Sequence, residues 1–514
     1  MVVEKINALL ERYKTFVFFD YEFNIDRKPI QASFVITEYD SSSFQLKDEC
    51  SAYIKTDRKV HPYVKKITKI DDDLLKEKAT VHPAKPALFI DEKSISYNEL
   101  LDITDRLSEE LDGKRGLKLL IFSDEHLHQL AGFLAAQKNG NIPILLHKGI
   151  SSEEKRQIAI ANRLHGCWQL SKSCNRFESI SNEPKLCSNS TEEDADVVMG
   201  VLSSGSTGVP KVLYRSYFSW AGFFPEQNRI FSFKEDSRIL IHGSFSFSGN
   251  LNIMMAALFA GAAIVETTAL SARKWHKLIN ELKITNIYMV PTKLQILGKA
   301  GYTHNTPINI MSGSQLITEK CRDMLFRSFP RMRFITYYGS SELSYISYKE
   351  IRPKEKLQPS NVGLPFGGIK IYIVDGLIYV DTPYHINGAD IPFTSGDAGF
   401  INEHGQLIFE GRKDYWINKG GYKVSCQKIE NQLLSIEAIE EALVLPVNDE
   451  LRGQEIAAYI VINYGTPEKS VRHDIRKMLP PTEVPENIYF LNEIPLNDRG
   501  KPDREMLSAL TAKY

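Results

Sequence analysis

The sequence predicts an α/β fold. It comprises a large domain of mostly parallel sheets flanked by helices, a small α+β domain after it, and a short α/β extension before it. Three observations lead there. Strand-length apolar runs alternate with helix-length segments between about residues 100 and 290. The pattern changes at Gly411-Arg412-Lys413-Asp414, after which a compact helix–strand–strand–helix–strand order occupies residues 427–490. The first 75 or so residues read differently from both. The domains implied are 1–75, 76–411 and 412–514, and 514 residues with 43% hydrophobic content are ample for such cores.

In the extension, a helix over 3–13 precedes an apolar strand, 16–19, that runs into Asp20-Tyr21-Glu22-Phe23; strands over 31–37 and 50–55 follow, and then the segment 61–70. This order resembles the opening of a DnaQ-like 3′–5′ exonuclease, whose first strand carries D-x-E for metal binding. The aspartates and general base such a nuclease also needs would fall beyond residue 90 or so, where the βα rhythm has already begun. A truncated, non-catalytic extension is therefore expected, with Asp20 and Glu22 capping a strand.

The large domain reads as a helix at 100–112, strand 118–122, helix 126–139 and strand 142–146. Strand 239–243, helix 251–260, strand 263–266, helix 275–282 and strand 287–290 continue it. This is the pattern of βαβ units. Residues 176–194 are polar and Ser/Asn-rich, as in a surface connection. The small domain reads as helix 427–435, strands 439–446 and 455–462, helix 469–478 and strand 487–490.

A formal net charge of −1 provides no global field toward nucleic acid or acidic membrane. No apolar run approaches the roughly 18 residues of a membrane span, and the mixed charge of residues 1–14 is unlike a secretory leader. The six cysteines form no C-x-x-C pair, which fits reduced thiols and a cytoplasmic location.

Chemistry concentrates in a few segments. An apolar run, 197–202, empties into Ser203-Ser204-Gly205-Ser206-Thr207-Gly208-Val209-Pro210-Lys211. Glycines let backbone N–H groups approach an anion, hydroxyls donate, and Lys211 adds charge, so the loop suits phosphate. Its spacing is neither that of a P-loop nor G-x-G-x-x-G. Further along stand Met311-Ser312-Gly313-Ser314-Gln315, Tyr338-Gly339-Ser340-Ser341-Glu342, Thr394-Ser395-Gly396-Asp397, Gly411-Arg412-Lys413-Asp414 and Arg499-Gly500-Lys501-Pro502-Asp503-Arg504.

Taken in order, these segments resemble the adenylate-forming superfamily of acyl-CoA synthetases, peptide-synthetase adenylation domains and firefly luciferase, over residues 76–514. The resemblance implies ATP-dependent activation of a carboxylic acid to an acyl-adenylate with release of pyrophosphate. Transfer to a thiol follows, either CoA or the phosphopantetheine of an acyl carrier protein. It implies that Ser203, Ser204, Gly205, Ser206, Thr207, Gly208 and Lys211 grip the ATP phosphates. Gly313, Ser314, Gln315, Tyr338 and Gly339 would face adenine, and Asp397 and Arg412 the ribose. Ser341 would touch the α-phosphate, Glu342 with Thr207 would hold Mg²⁺, Asp414 would be the hinge, and Lys501 would bridge the acyl oxygen and α-phosphate.

Phe245, Ser246, Phe247 and Gly249 lie at the family's gate to the acid pocket. Ser246 replaces both the histidine of F-H-x-x-G and the aspartate of F-D-x-S. An α-ammonium would be buried there without a counter-charge, which favours a plain aliphatic or aryl acid over an amino acid. Cys426 and Lys428 depart from the family's G-G-x-x-V-x-P-x-E-I-E, and Lys419, Lys423 and Lys428 are contacts to a CoA phosphate, contacts to an acidic carrier protein, or solvated charges. The competing readings are an exonuclease-like protein and a nucleotide-binding scaffold without ligase activity. Simple ATP binding needs neither Lys501 nor Glu342.

Overall fold

Parallel strands joined by helices build two separate sheets. The computed structural model describes residues 17–25, 28–36, 70–90, 93–147, 149–171, 174–180, 196–203, 209–358, 360–419, 422–449, 453–496 and 502–511. The expected helix at 3–13, the strand at 50–55, the loop residues 204–208 and Lys501 lie outside them. The chain divides into two compact units, residues 1–85, 96–230 and 383–388 in one and 86–95, 231–382 and 389–514 in the other.

The first unit holds a six-stranded sheet in the order Lys211–Ser216, Val197–Ser203, Ile142–Leu145, Lys118–Ser123, Gly166–Leu170, Arg176–Ser179. Its centre is parallel and both edge pairs are antiparallel. The helix His126–Lys138 is buried around most of its circumference, as its nearly uncharged sequence requires. Capping boxes start two other helices, Ser96 with Glu99 and Ser151 with Glu154. Two expectations are corrected. Residues 176–179 form an edge strand paired with Gly166–Leu170, where the polar composition had indicated only a connection. Asp20 and Glu22 do not cap a strand: Val17–Ile25 and Lys28–Ile36 form a hairpin in which Asp20 opposes Ser33 and Glu22 opposes Gln31.

The second unit holds a 13-stranded sheet. Pro86–Ile90, Ala263–Thr267, Arg238–His242, Asn286–Tyr288, Ile308–Ser312 and Met332–Ser340 run parallel. At Ser344–Ile351 the direction reverses, and Asn361–Pro365, Leu407–Arg412, Asp397–Ile401, Leu377–Asp381 and Lys370–Val374 continue antiparallel. Lys93–Ser96 forms the far edge. Ligand sites in α/β sheets lie at the carboxyl ends of the parallel strands, beside such a reversal. Here those ends are His242, Tyr288, Ser312 and Ser340.

The small sheet, also in this unit, contains Tyr422–Ser425, Trp416–Lys419, Gly453–Ile462, Ile439–Asp449 and Asn487–Leu491. The helices Cys426–Leu434 and Glu468–Met478 bury Ile429, Leu433, Val471 and Ile475 against it. Cys426 is the first helical residue, the position where proline is also tolerated, so its place in the family's P-x-E-I-E pattern is structurally neutral. The helix Arg504–Thr511 is tied down by Arg504, which donates to buried Glu430 at 3.0 Å and covers the Tyr415 ring. The loop that carries Lys501 is closed at its base by the Leu496–Pro502 bridge and the bond from Asp503 N to Pro495 O.

Behind the large sheet, His276 and His304 stack with rings 4.9 Å apart and share a 2.7 Å hydrogen bond; they are 1% and 5% exposed. Burial holds both imidazoles below the usual 6.5, and for His304 the charge of His276 adds to it. With folded values depressed, their contribution to stability is complete above 6.5 and is lost as pH falls toward the folded values. Urea midpoints are expected to drop on going from pH 7.5 to 5.5. His304→Gln should flatten that slope, and an unchanged slope would show that the pair does not titrate as described.

Candidate active site

The carboxyl ends of Ile308–Ser312 and Met332–Ser340 bring three of the sequence motifs together. Strand Met332–Ser340 carries a β-bulge between Tyr338 and Gly339. A β-carbon on Gly339 would collide with the Ser344 carbonyl, so this turn requires glycine. The bulge sends Ser341 and Glu342 out of the sheet as a turn. Gly313 has the same requirement, since its β-carbon would collide with the Tyr337 ring. Ser314 next to it adopts φ 72° and is exposed.

Asp397 is the centre of this cluster. Its carboxylate is 5% exposed and accepts from Tyr338 Oη at 2.5 Å, Ser395 Oγ at 3.1 Å and Arg412 Nε at 3.1 Å. Strand pairing enforces the meeting, because Asp397 lies opposite Arg412 in the ladder. Burial, with the Asp397 carboxylate beside it, keeps the Tyr338 phenol protonated well above its ordinary value. Burial works against the Arg412 cation, but Asp397 and then Glu342 outweigh it and raise its pKa. A carboxylate offers about four lone-pair directions, so Asp397 keeps acceptor capacity for a further hydroxyl. Tyr338 leans on Phe409 with centroids 5.5 Å apart. Ser395 completes the cluster, although nothing but its place beside Gly396-Asp397 marks it in the sequence.

Ser341 lies 3.2 Å from Ser248, the first residue of the helix Ser248–Phe259, by their hydroxyl oxygens. This helix starts directly after the segment expected to border the acid pocket. Phe245 is fully buried there, Phe247 is the N-cap residue, and Ser246 bonds Ser244 Oγ at 2.8 Å. Gly249 faces the hydroxyl of Tyr288, with which its β-carbon would collide.

Glu342 is a hard oxygen donor in a partly exposed turn. No cluster of three metal-binding side chains exists among the described residues, and Mg²⁺ does not ask for one. That ion is usually held by one or two carboxylates together with phosphates and water, so the residues fit it.

Ser203 and Lys211 face each other across an antiparallel pair, with Ser203 Oγ donating to the Lys211 carbonyl at 3.2 Å. Gly411 at φ 114° and Arg412 end a strand, and residues 413–415, including Asp414, form one 3₁₀ turn before the small sheet. Two of the three lysines considered as phosphate contacts are engaged within the chain. Lys419 pairs with buried Glu455 at 2.5 Å and Lys428 with Glu483 at 2.5 Å, while Lys423 is exposed.

Residues 75–382 match the model of the AMP-binding enzyme family, and residues 428–501 match that of the AMP-binding enzyme C-terminal domain. The chain is 27% identical over 318 residues to an uncharacterized acyl-CoA ligase, YhfT, of Bacillus subtilis, covering 58% of this chain and 66% of that one. It is 25% identical over 447 residues to a putative long chain fatty acid-CoA ligase, VraA, of Staphylococcus epidermidis, covering 82% of this chain and 94% of that one. Its fold is similar to o-succinylbenzoate coenzyme A synthetase of Bacillus subtilis in complex with ATP and magnesium ion. The TM-score is 0.71 with 19% identity, over 85% of this chain and 99% of that one.

Asp397→Ala removes the acceptor shared by Tyr338, Ser395 and Arg412. Hydrogen bonds to a charged group contribute roughly 1.5–3 kcal/mol. Calorimetric titration with ATP is therefore expected to show binding about 10- to 100-fold weaker, and unchanged affinity would remove Asp397 from the site.

Proposed function

This chain belongs to the AMP-binding enzyme family, and we propose that it is an AMP-forming acid–thiol ligase whose chemistry runs through the motifs described above. A carboxylate oxygen attacks the α-phosphorus of ATP, the bond to the bridging oxygen breaks, and pyrophosphate leaves. A thiol, of CoA or of a carrier-protein phosphopantetheine, then attacks the acyl carbon and AMP departs. Both first-step reactants are anions, so the site must neutralise charge and hold them in line.

The observation that carries this reading is the Asp397 cluster. Its three donors fix the carboxylate at the end of the sheet, ready for ribose hydroxyls, with Arg412 close by. Tyr338, Gly339, Gly313, Ser314 and Gln315 border the same sheet end and suit adenine. Ser341 suits the α-phosphate. Glu342 would hold Mg²⁺, with Thr207, and the ion supplies neutralisation of the phosphate charge when bound. Ser203, Ser204, Gly205, Ser206, Gly208 and Lys211 are the proposed phosphate grip. Lys501 would supply a cation to the acyl oxygen and α-phosphate, and the turn at Asp414 would let the small domain move between half-reactions.

The relatives support this ligase reading; the exonuclease-like and scaffold alternatives gain no support from them. Among the described residues no helix is long and apolar enough to cross a membrane. A cytoplasmic enzyme meeting a small acid in water, with no nucleic-acid partner, is the setting we propose.

ATP–pyrophosphate exchange is expected to require both Mg²⁺ and an added carboxylic acid. Lys501→Ala should lower it by about 100-fold or more, the scale seen when a donor to developing charge is removed. The reading fails if no acid in a panel of aliphatic, aryl and amino acids supports exchange.

A further inference from the structure

The acid-pocket segment is bordered by two polar features that no motif predicts. The first is a group of tyrosines. Tyr288 Oη occupies the place where a side chain on Gly249 would sit, and it shares a 2.7 Å hydrogen bond with Tyr337 Oη. The Tyr337 ring in turn covers Gly313. Tyr345 packs on Tyr337 with centroids 4.6 Å apart and donates to Asn252 Oδ1 at 3.0 Å. The space between the helix Ser248–Phe259 and the Gly313 loop is therefore filled by rings whose hydroxyls are already paired. A long alkyl chain entering past Ser246 would have to expel these rings and leave their buried hydroxyls without partners.

The second feature is Lys293, in the first turn of the helix Pro291–Lys299. Its Nζ donates to the His242 carbonyl at 3.2 Å and lies 3.1 Å from where a β-carbon of Gly243 would be. Asn250 Nδ2 lies 3.2 Å from the same point and donates to Ser244 O. Two donors thus converge on the start of the acid-pocket turn. Among the described residues no carboxylate pairs with Lys293, and burial alone pulls its ammonium down to about 8. A half-buried cation without a counter-charge is disfavoured, and an anion beside it would relieve that cost.

We propose, resting on the ligase reading above, that the acid this chain activates is short and carries a second anionic group. Tyr288 and Tyr337 set its length, and Lys293 with Asn250 holds the distal anion.

The test is acid-dependent ATP–pyrophosphate exchange by the full-length protein. The acids are acetate, propionate, butyrate, malonate, succinate, glutarate, benzoate, octanoate and palmitate. The short dicarboxylates are expected to give kcat/KM at least 10-fold above monocarboxylates of equal length. Lys293→Met should abolish that preference while sparing exchange with monocarboxylates, and Lys293→Arg should retain it. In the wild type the preference should fall as pH rises through about 8, where the ammonium loses its proton. Tyr337→Ala should raise octanoate relative to butyrate by 10-fold or more. Octanoate or palmitate as the best wild-type substrate overturns the proposal. So does a Lys293→Met enzyme, confirmed folded by circular dichroism, that loses all acids equally. Exchange with no acid at all refutes the ligase reading, and this inference falls with it.

Discussion

The buried carboxylate of Asp397 is the point on which the site depends. It belongs to the antiparallel half of the large sheet, and its partner Tyr338 belongs to the last parallel strand. A charge that is 5% exposed is tolerable only when hydrogen-bonded, and Tyr338, Ser395 and Arg412 supply three of the roughly four bonds it can accept. The requirement runs both ways. Satisfying Asp397 fixes the bulge at Gly339, the direction in which Ser341 and Glu342 leave the sheet, and the strand from which the chain passes to the small sheet. The carboxylate proposed to bind the nucleotide is thus also one that ties two halves of the large sheet together.

Polarity distinguishes the acid side as well. Paired hydroxyls, an amide and an ammonium stand beside the turn 243–248 and the start of the helix after it, while the rest of that helix is buried among apolar side chains. Ser246 in place of a histidine or aspartate belongs to that environment. Its hydroxyl is taken up by Ser244, so the recognition of charge passes from the motif position to Lys293, which lies 47 residues further along the chain.

Legibility followed range. Helix and strand periodicity placed the elements it named from residue 100 onward to within a few positions, because burial of one face imposes that period locally, but helices such as Ser152–Ala161, Pro291–Lys299 and Glu319–Ser328 were not read. The glycines at 313 and 339 were readable as motif members, and the structure supplies their reason in the lack of room for a β-carbon. Asp20 and Glu22 were misread as caps because a short apolar run hides how far a hairpin extends. Residues 176–179 were misread because an edge strand facing solvent needs little hydrophobicity. Lys419 and Lys428 looked like candidate phosphate contacts until Glu455 and Glu483 were seen to claim them.

By itself the sequence determined the fold class, the order of the motifs and the residue types fit for phosphate, ribose and metal. These are local properties, set by backbone freedom, periodicity and side-chain chemistry. Only the tertiary structure decided that Ser395, Tyr338 and Arg412 converge on Asp397, that Tyr288 and Tyr337 fill the space beside Gly249 and Gly313, and that Lys293 is half-buried with no acid partner among the described residues. The reason is that pairing, burial and counter-charge are properties of neighbours in space, and these neighbours stand tens of residues apart along the chain.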